Sequence, residues 1–237
     1  MSVKYSDSFM TLVNELTKIN KSVIVVPDED KINVKMSDPN KSLVYDLNTT
    51  KESFGVEEEI GFYNFVEFYS FYTTLKNGTD IPSLSIKDNK ICLTGDNSKL
   101  NYNLSDVEIL KTHRPKNVSF ADWDYEFTLD QKIIQELTKM ISLINASYIK
   151  MVSHEDGYVT IKVYSNGVDN AFEKRVELTK VSETEDAFDF DIIADQINKI
   201  PSGSYKFQVK NPGRIKVSLV TTGDTSLDIY IARKKEA

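Results

Sequence analysis

Apolar positions along the chain fall into two periods, one of three to four residues and one of two, and the periods alternate in the same order twice. Over residues 6–19, Phe9, Leu12, Val13 and Leu16 recur at the spacing that lines one face of a helix, with Ser6 or Asp7 available as its cap. β-rich runs follow at 22–26 and 32–36, separated by the turn Pro27-Asp28-Glu29-Asp30. Helical spacing returns over 61–76, where Phe62, Phe65, Val66, Tyr69 and Tyr72 share a side and Asn77-Gly78 supplies a stop. Strands are predicted at 83–86, 91–94 and 100–104, the first two flanking an Asp88-Asn89 hairpin turn.

The order then repeats. After His113-Arg114-Pro115-Lys116, a third helix carries Ile133, Ile134, Leu137, Met140, Ile141 and Ile144 on its apolar side, with Thr128 and Gln131 at capping-box spacing. Strands at 148–152 and 158–164 flank Asp156-Gly157, and 172–178 adds another. A fourth helix over 190–200 stops before Pro201, and strands at 205–209, 215–220 and 227–231 close the chain, with Asn211-Pro212-Gly213 as a turn.

Short identities mark the same duplication. Glu15-Leu16-Thr17-Lys18 is matched by Glu136-Leu137-Thr138-Lys139 at an offset of 121 residues. Thr94-Gly95-Asp96 with Tyr102 is matched by Thr222-Gly223-Asp224 with Tyr230 at an offset of 128, and Leu100 by Leu227 at 127. The expected fold is α+β, with two tandem similar domains, each holding two helices packed on antiparallel sheets. Residues 1–112 form the first domain, 113–124 the connector and 125–237 the second.

Composition narrows the class. With 40% hydrophobic and 27% charged residues, only 9 Gly and 6 Pro, the 237 residues describe a folded globular protein. No run approaches the length of a membrane span and the N-terminal MSVKYSDSF has no apolar signal segment, so no membrane partner is expected and the cytoplasm is the default compartment. The single Cys92 leaves no internal disulfide and fits a reducing environment.

The net charge of −7 argues at first against nucleic acid, but the charge is segregated. Residues 27–59 sum to −5 and residues 169–195 to −6, leaving the rest of the chain at +4. Such a protein can repel DNA over one surface and attract it over another.

Catalytic chemistry has little to stand on. His113 lies in the connector and His154 beside a hairpin turn, and both read as polar surface or turn residues. Cys92 sits in an apolar strand pattern and reads as a small core residue. Glu57-Glu58-Glu59 reads as a solvated loop, because consecutive side chains do not converge on one ion, and Trp123 as an anchor for the interdomain segment. A Gly-rich phosphate loop, a His-Glu-x-x-His motif and zinc-spaced cysteines are all missing from the sequence. No enzyme activity, metal or cofactor is expected.

The duplicated pattern, together with Leu16-Thr17-Lys18-Ile19-Asn20, Asp189-Phe190-Asp191-Ile192-Ile193 and Pro201-Ser202-Gly203-Ser204-Tyr205-Lys206, resembles the DNA sliding clamps of tailed, T-even-like bacteriophages. The resemblance implies the DNA-clamp fold in a head-to-tail homotrimeric ring, with helices lining the hole and sheets outside. It implies a processivity factor for DNA replication that encircles double-stranded DNA without sequence preference. Its implied partners are the replicative DNA polymerase, docking a C-terminal peptide, and an ATP-driven clamp loader that opens the ring.

Helix geometry then nominates DNA-facing residues. Lys4, Thr11, Asn14, Lys18 and Lys21 lie opposite the apolar stripe of the first helix, and Gln131, Lys132, Gln135, Lys139 and Ser142 opposite that of the third. Lys18 and Lys139 occupy equivalent places in the repeat. Lys76 ends the second helix, and Lys199 is the one favourable charge on a fourth helix that also carries Asp191 and Asp195. Val107, Ile109 and Leu110 of the connecting segment, with Tyr230 and Ile231, are the candidate peptide pocket. Edge strands for pairing between subunits are expected near 102–104 and 172–178. The competing readings are a non-enzymatic tandem α+β module of phage or cell, structural or protein-binding, that never meets DNA, and, within the same class, a cellular trimeric clamp of an archaeon or eukaryote, whose more specific wording is missing from the sequence; an enzyme would need acids converging in a pocket.

Overall fold

The computed structural model describes residues 2–76, 80–95, 97–111, 115, 122–167, 169–183, 187–211, 213–221 and 223–233. In chain order the first elements are β1 (Ser2–Val3), α1 (Asp7–Leu16), β2 (Val23–Asp28), β3 (Lys31–Ser37), β4 (Leu43–Thr50) and β5 (Ile60–Phe62). They continue with α2 (Phe65–Leu75), β6 (Ser83–Lys87), β7 (Lys90–Thr94), β8 (Lys99–Asn103) and α3 (Val107–Lys111). Next come β9 (Tyr125–Leu129), α4 (Gln131–Leu143), β10 (Tyr148–His154), β11 (Tyr158–Tyr164), β12 (Ala171–Glu177), β13 (Thr179–Lys180) and β14 (Asp189–Ile193). The chain closes with α5 (Ala194–Asn198), β15 (Tyr205–Lys210), β16 (Arg214–Leu219) and β17 (Ser226–Ala232).

The chain divides into two compact units. The first comprises Met1–Pro39, Tyr45–Pro115 and Gly223–Thr225, the second Asn40–Val44, Lys116–Thr222 and Ser226–Ala237. In the first, one sheet has the order β1-β6-β7-β8 and a further run has the order β4-β3-β2-β5. In the second, one sheet has the order β12-β11-β10-β14 and a further run the order β13-β9-β15-β16-β17. The hairpin pairs β2/β3, β6/β7, β10/β11 and β15/β16 are all antiparallel. Each unit is α+β.

Local chemistry explains the turns. Asp88 and Asn89, with φ of 51° and 57°, occupy the left-handed region that a two-residue hairpin needs at both central positions and that short polar side chains tolerate. Gly157, at φ 80°, does the same for β10 and β11.

The helices bury the stripes their sequences carry. α1 covers Phe9, Met10, Val13 and Leu16 and begins at Ser6, whose side chain accepts from the Phe9 backbone N–H. α2 buries Phe65, Phe68 and Tyr72, and its rings join Phe62 and Tyr102 in one aromatic cluster with centroids 4.9–6.2 Å apart. α4 buries Ile134, Leu137 and Ile141. In the second unit Phe127 stacks on Phe207 at 5.0 Å across paired strands β9 and β15. Each such side chain, once removed from water, contributes about 1.5–3 kcal/mol before entropy is counted.

Several elements differ from the sequence reading. Residues 60–62 form strand β5, paired with β2, because Asn64 caps α2 by accepting from the Glu67 N–H and so delays the helix to Phe65. The fourth helix shrinks to α5. Its predicted first turn is β14, where Phe190 and Ile192 alternate inward against β10, so period two wins over period 3.6. Gln196 Oε1 then accepts from the Ile193 N–H at 2.9 Å to start the short helix.

The cap of α4 is Asp130, accepting from the Ile133 N–H at 2.7 Å, whereas Thr128 is an exposed strand residue opposite Lys206. Cys92 is half-buried on the face of β7 opposite the core residues Ile91 and Leu93, not a core residue itself. His113 lies outside the described residues. The short helix α3 stands where only a connecting segment was expected.

Candidate nucleic-acid interface

Two helices of similar build carry the predicted contact residues, one in each unit. On α4 the buried row Ile134, Leu137 and Ile141 leaves Lys132, Gln135 and Lys139 exposed on the opposite side, with Gln131 and Ser142 extending the polar face. The row holds because residues three, four and seven apart share a side. Among the described residues Lys132 and Lys139 have no carboxylate within ion-pair range, so their charges are available to a ligand. Gln131 is anchored instead, its Nε2 donating to the Ser202 hydroxyl at 3.0 Å.

On α1 the corresponding side is more mixed. Thr11 is exposed and lies 3.2 Å from the Tyr69 hydroxyl of α2, Asn14 is half-buried, and Lys18 just past the helix is exposed with Glu15 at 3.7 Å. That pair is surface-exposed and worth little, so Lys18 can exchange it for another anion. Lys4 and Lys21 are exposed at either end of the helix.

The other two nominated lysines are already engaged. Lys76 Nζ sits 2.7 Å from Asp7 Oδ2, and Tyr72 donates its hydroxyl to Asp7 Oδ1 at 2.7 Å. Lys76 first and Tyr72 second hold the Asp7 carboxyl below its usual range. Burial, followed by this hydrogen bond, pushes the Tyr72 hydroxyl up. The network clips α1 to α2. Lys199 is likewise paired with Asp195 at 2.7 Å, one turn back on α5. Asp191 lies on β14 rather than on a helix and accepts from the Tyr164 hydroxyl at 2.9 Å.

Asp7, read from the sequence only as a possible helix cap, is instead the carboxylate that holds Lys76. It changes what Lys76 can do, yet it lies 69 residues away and no local period connects them.

The nominated apolar pocket residues separate by burial. Ile109 of α3 is 68% exposed while Leu110 is buried; Val107 is half-buried. α3 packs so closely on β5 that a Cβ at Gly61 would lie 2.9 Å from Leu110 Cδ1 and 3.0 Å from the Ser105 carbonyl oxygen. In the second unit, Tyr230 is half-buried and Ile231 buried on β17.

The two nominated edges are both terminal strands. β8 ends its sheet beyond β7, and β12 ends its sheet beyond β11. Tyr102 of β8 is mostly covered by α2, whereas β12 alternates exposed and half-buried residues along its whole length.

Among the described residues no group of three or more His, Cys, Asp or Glu side chains could hold a metal ion. His154 is exposed, its Nε2 2.8 Å from the Thr160 hydroxyl. Among the described residues no helix is long and apolar enough to cross a membrane.

No protein-family model and no curated protein matches the sequence. Solved structures do. The chain is similar to Proliferating Cellular Nuclear Antigen from Entamoeba histolytica, with a TM-score of 0.77 at 13% identity, covering 99% of both chains. It is similar also to A. fulgidus PCNA, solved with the C-terminal region of FEN-1 bound, with a TM-score of 0.75 at 12% identity over 100% of each chain. The fold is therefore the clamp fold of PCNA, with tandem α+β domains.

Proposed function

We propose that this chain is a DNA sliding clamp: a homotrimeric ring that encircles duplex DNA without sequence preference and tethers the replicative polymerase. The observation that carries the reading is the match to PCNA over essentially the full length of both chains. The terminal strands β8 and β12 support it, because an edge that is open among the described residues at each of two sheets is what head-to-tail closure by strand addition requires.

In this role the chain performs no chemistry. Lys132 and Lys139 of α4, with Lys4, Lys18 and Lys21 around α1, meet phosphates through sparse, exchangeable contacts, while Lys76 and Lys199 contribute less because carboxylates already hold them. Few contacts favour sliding over gripping. A tethered polymerase is then kept at high effective concentration near the primer end.

The partner peptide contacts Val107 and Ile109 of α3, with Leu110 beneath as support; Tyr230 of the second unit is a separate candidate contact. A clamp loader opens the ring, and the chain belongs to a tailed, T-even-like bacteriophage acting in its host's cytoplasm.

The test joins assembly to activity. Sedimentation should give a trimer, and the protein should lengthen products of its cognate polymerase on long primed circular templates. A monomer at micromolar concentration with no lengthening refutes the proposal and favours the protein-binding module that never meets DNA.

A further inference from the structure

A groove of about 430 Å³ lies in the first unit beside the β6–β7 turn. Val3, Val56, Ile60, Ile86 and Leu104 give it apolar walls, and Glu57, Glu58, Glu59, Asp88 and Lys87 are its charged lining, with Lys51 and Lys111 paired to two of the carboxylates from outside it. We propose that this groove is a docking site for a short basic-amphipathic peptide segment of a partner protein, with an apolar side chain inserted and lysine or arginine on both flanks. The proposal is independent of whether the chain encircles DNA.

Three observations carry it. First, the walls are fixed before any ligand arrives. The Leu104 N–H donates to the Asn89 carbonyl at 2.9 Å, and the Asn89 side chain donates back to the Leu104 carbonyl at 3.2 Å, which ties the turn to the strand's end. A wall held this way loses little entropy on binding.

Second, the size and lining suit a side chain or two rather than a flat protein face. The volume falls in the range of small-ligand clefts, and Val3, Val56, Ile60 and Leu104 are mostly buried already, forming a floor. Third, the charge selects the partner. Lys51 takes Glu57 at 3.0 Å and Lys111 takes Glu59 at 2.9 Å, but among the described residues Glu58 has no cation. Asp88 is only 4.0 Å from a Lys87 that is itself largely solvated. With Lys51 and Lys111 engaged, the excess negative charge of the rim sits at Glu58 and Asp88, so a cationic residue placed there is favoured over a phosphate or a carboxylate.

The experiment uses the full-length protein with methyl-labelled Ile, Leu and Val and a fluorescein-tagged peptide, Gly-Lys-Arg-Ile-Leu-Arg-Lys-Gly. Support is a saturable anisotropy signal together with methyl shifts at Val56, Ile60, Ile86 and Leu104. The double variant Glu58→Lys with Asp88→Asn should weaken binding roughly fivefold or more, and the charge-swapped peptide with Glu and Asp flanks should not bind. Asparagine tolerates the left-handed turn as aspartate does, so folding is preserved. Binding that shifts methyls elsewhere, binding indifferent to the double variant, or no binding at all overturns the proposal. So does a variant that alters self-association instead, which would assign the groove to a second copy of this chain.

Discussion

Removing the two lysines of α4 that have no carboxylate partner among the described residues should flatten the salt dependence of DNA binding. Lys132 and Lys139 are seven residues apart on one helix, about 10.5 Å along its axis at 1.5 Å per residue. Successive phosphates of one strand are about 3.4 Å apart along the duplex, so the pair can reach phosphates roughly three steps apart. Each lysine that no longer neutralises a phosphate should lower the slope of log K against log salt by about 0.9, hence about 1.8 for the pair in each subunit engaged. Between 50 and 200 mM salt, a fourfold change, that is roughly a tenfold smaller loss of affinity in Lys132→Ala/Lys139→Ala than in the natural protein. Fluorescence anisotropy on a labelled linear duplex, titrated at several salt concentrations across that range, measures it. Lys76→Ala is the internal comparison, since Asp7 already holds that ammonium and its slope change should be clearly smaller. Equal slopes for the natural protein and the α4 double variant would refute the reasoning, whatever happens to the absolute affinity.

Two stability predictions follow from close packing and a buried carboxylate. Gly61→Ala forces a Cβ against Leu110 Cδ1 and the Ser105 carbonyl and should destabilise by about 1–3 kcal/mol in urea denaturation, with Leu110→Ala in the same chain relieving only the side-chain part of the clash. Asp124 is buried and accepts from Lys210 at 2.9 Å, Ser182 at 3.0 Å and the Asn211 N–H at 3.0 Å; burial raises its carboxyl, but these donors outweigh it and leave it below the usual range. Because the folded-state value is depressed, its stabilisation is complete above the unfolded value near 4 and disappears as pH falls through the folded value, so Asp124→Ala, costing about 2 kcal/mol at pH 7, should approach the natural protein's stability in acid. A gap that stays constant from about pH 7 to about pH 2.5 contradicts that assignment.

How much of this is legible in the residues depends on whether one side of an element faces water. α1 and α4 can be read because Phe9, Val13 and Leu16, and Ile134, Leu137 and Ile141, alternate with polar side chains at helical spacing. β4 cannot. It is buried through most of its length and holds Asp46, which pairs at 2.8 Å with the buried Lys35 of β3, so polar residues inside the sheet hide the strand's pattern. The sequence pattern makes α5 too long because Phe190, Ile193, Ile197 and Ile200 fall at helical spacing while Phe190 and Ile192 fall at a period of two, and only pairing with β10 decides between them. The lysines of the candidate interface follow from helix face alone. Face predicts exposure but not neutralisation, which for Lys76 comes from a carboxylate on another helix and for Lys199 from one turn away.

The terminal strand β12 has a bearing on how the polypeptide avoids aggregation. An open row of backbone donors and acceptors is a template for any extended chain, including another molecule caught midway through folding. β12 carries Glu173, Lys174, Arg175 and Glu177 in seven residues, and three of them are tied back to their own sheet or helix: Glu173 to Lys162, Lys174 to Glu136, Arg175 to Asp156. Wrong partners must break those ties and bury unmatched charge, so the same strand that invites association also screens against amyloid-like stacking. Exchanging these charged positions for valine or threonine should therefore leave the isolated fold intact while making the protein prone to precipitate during expression.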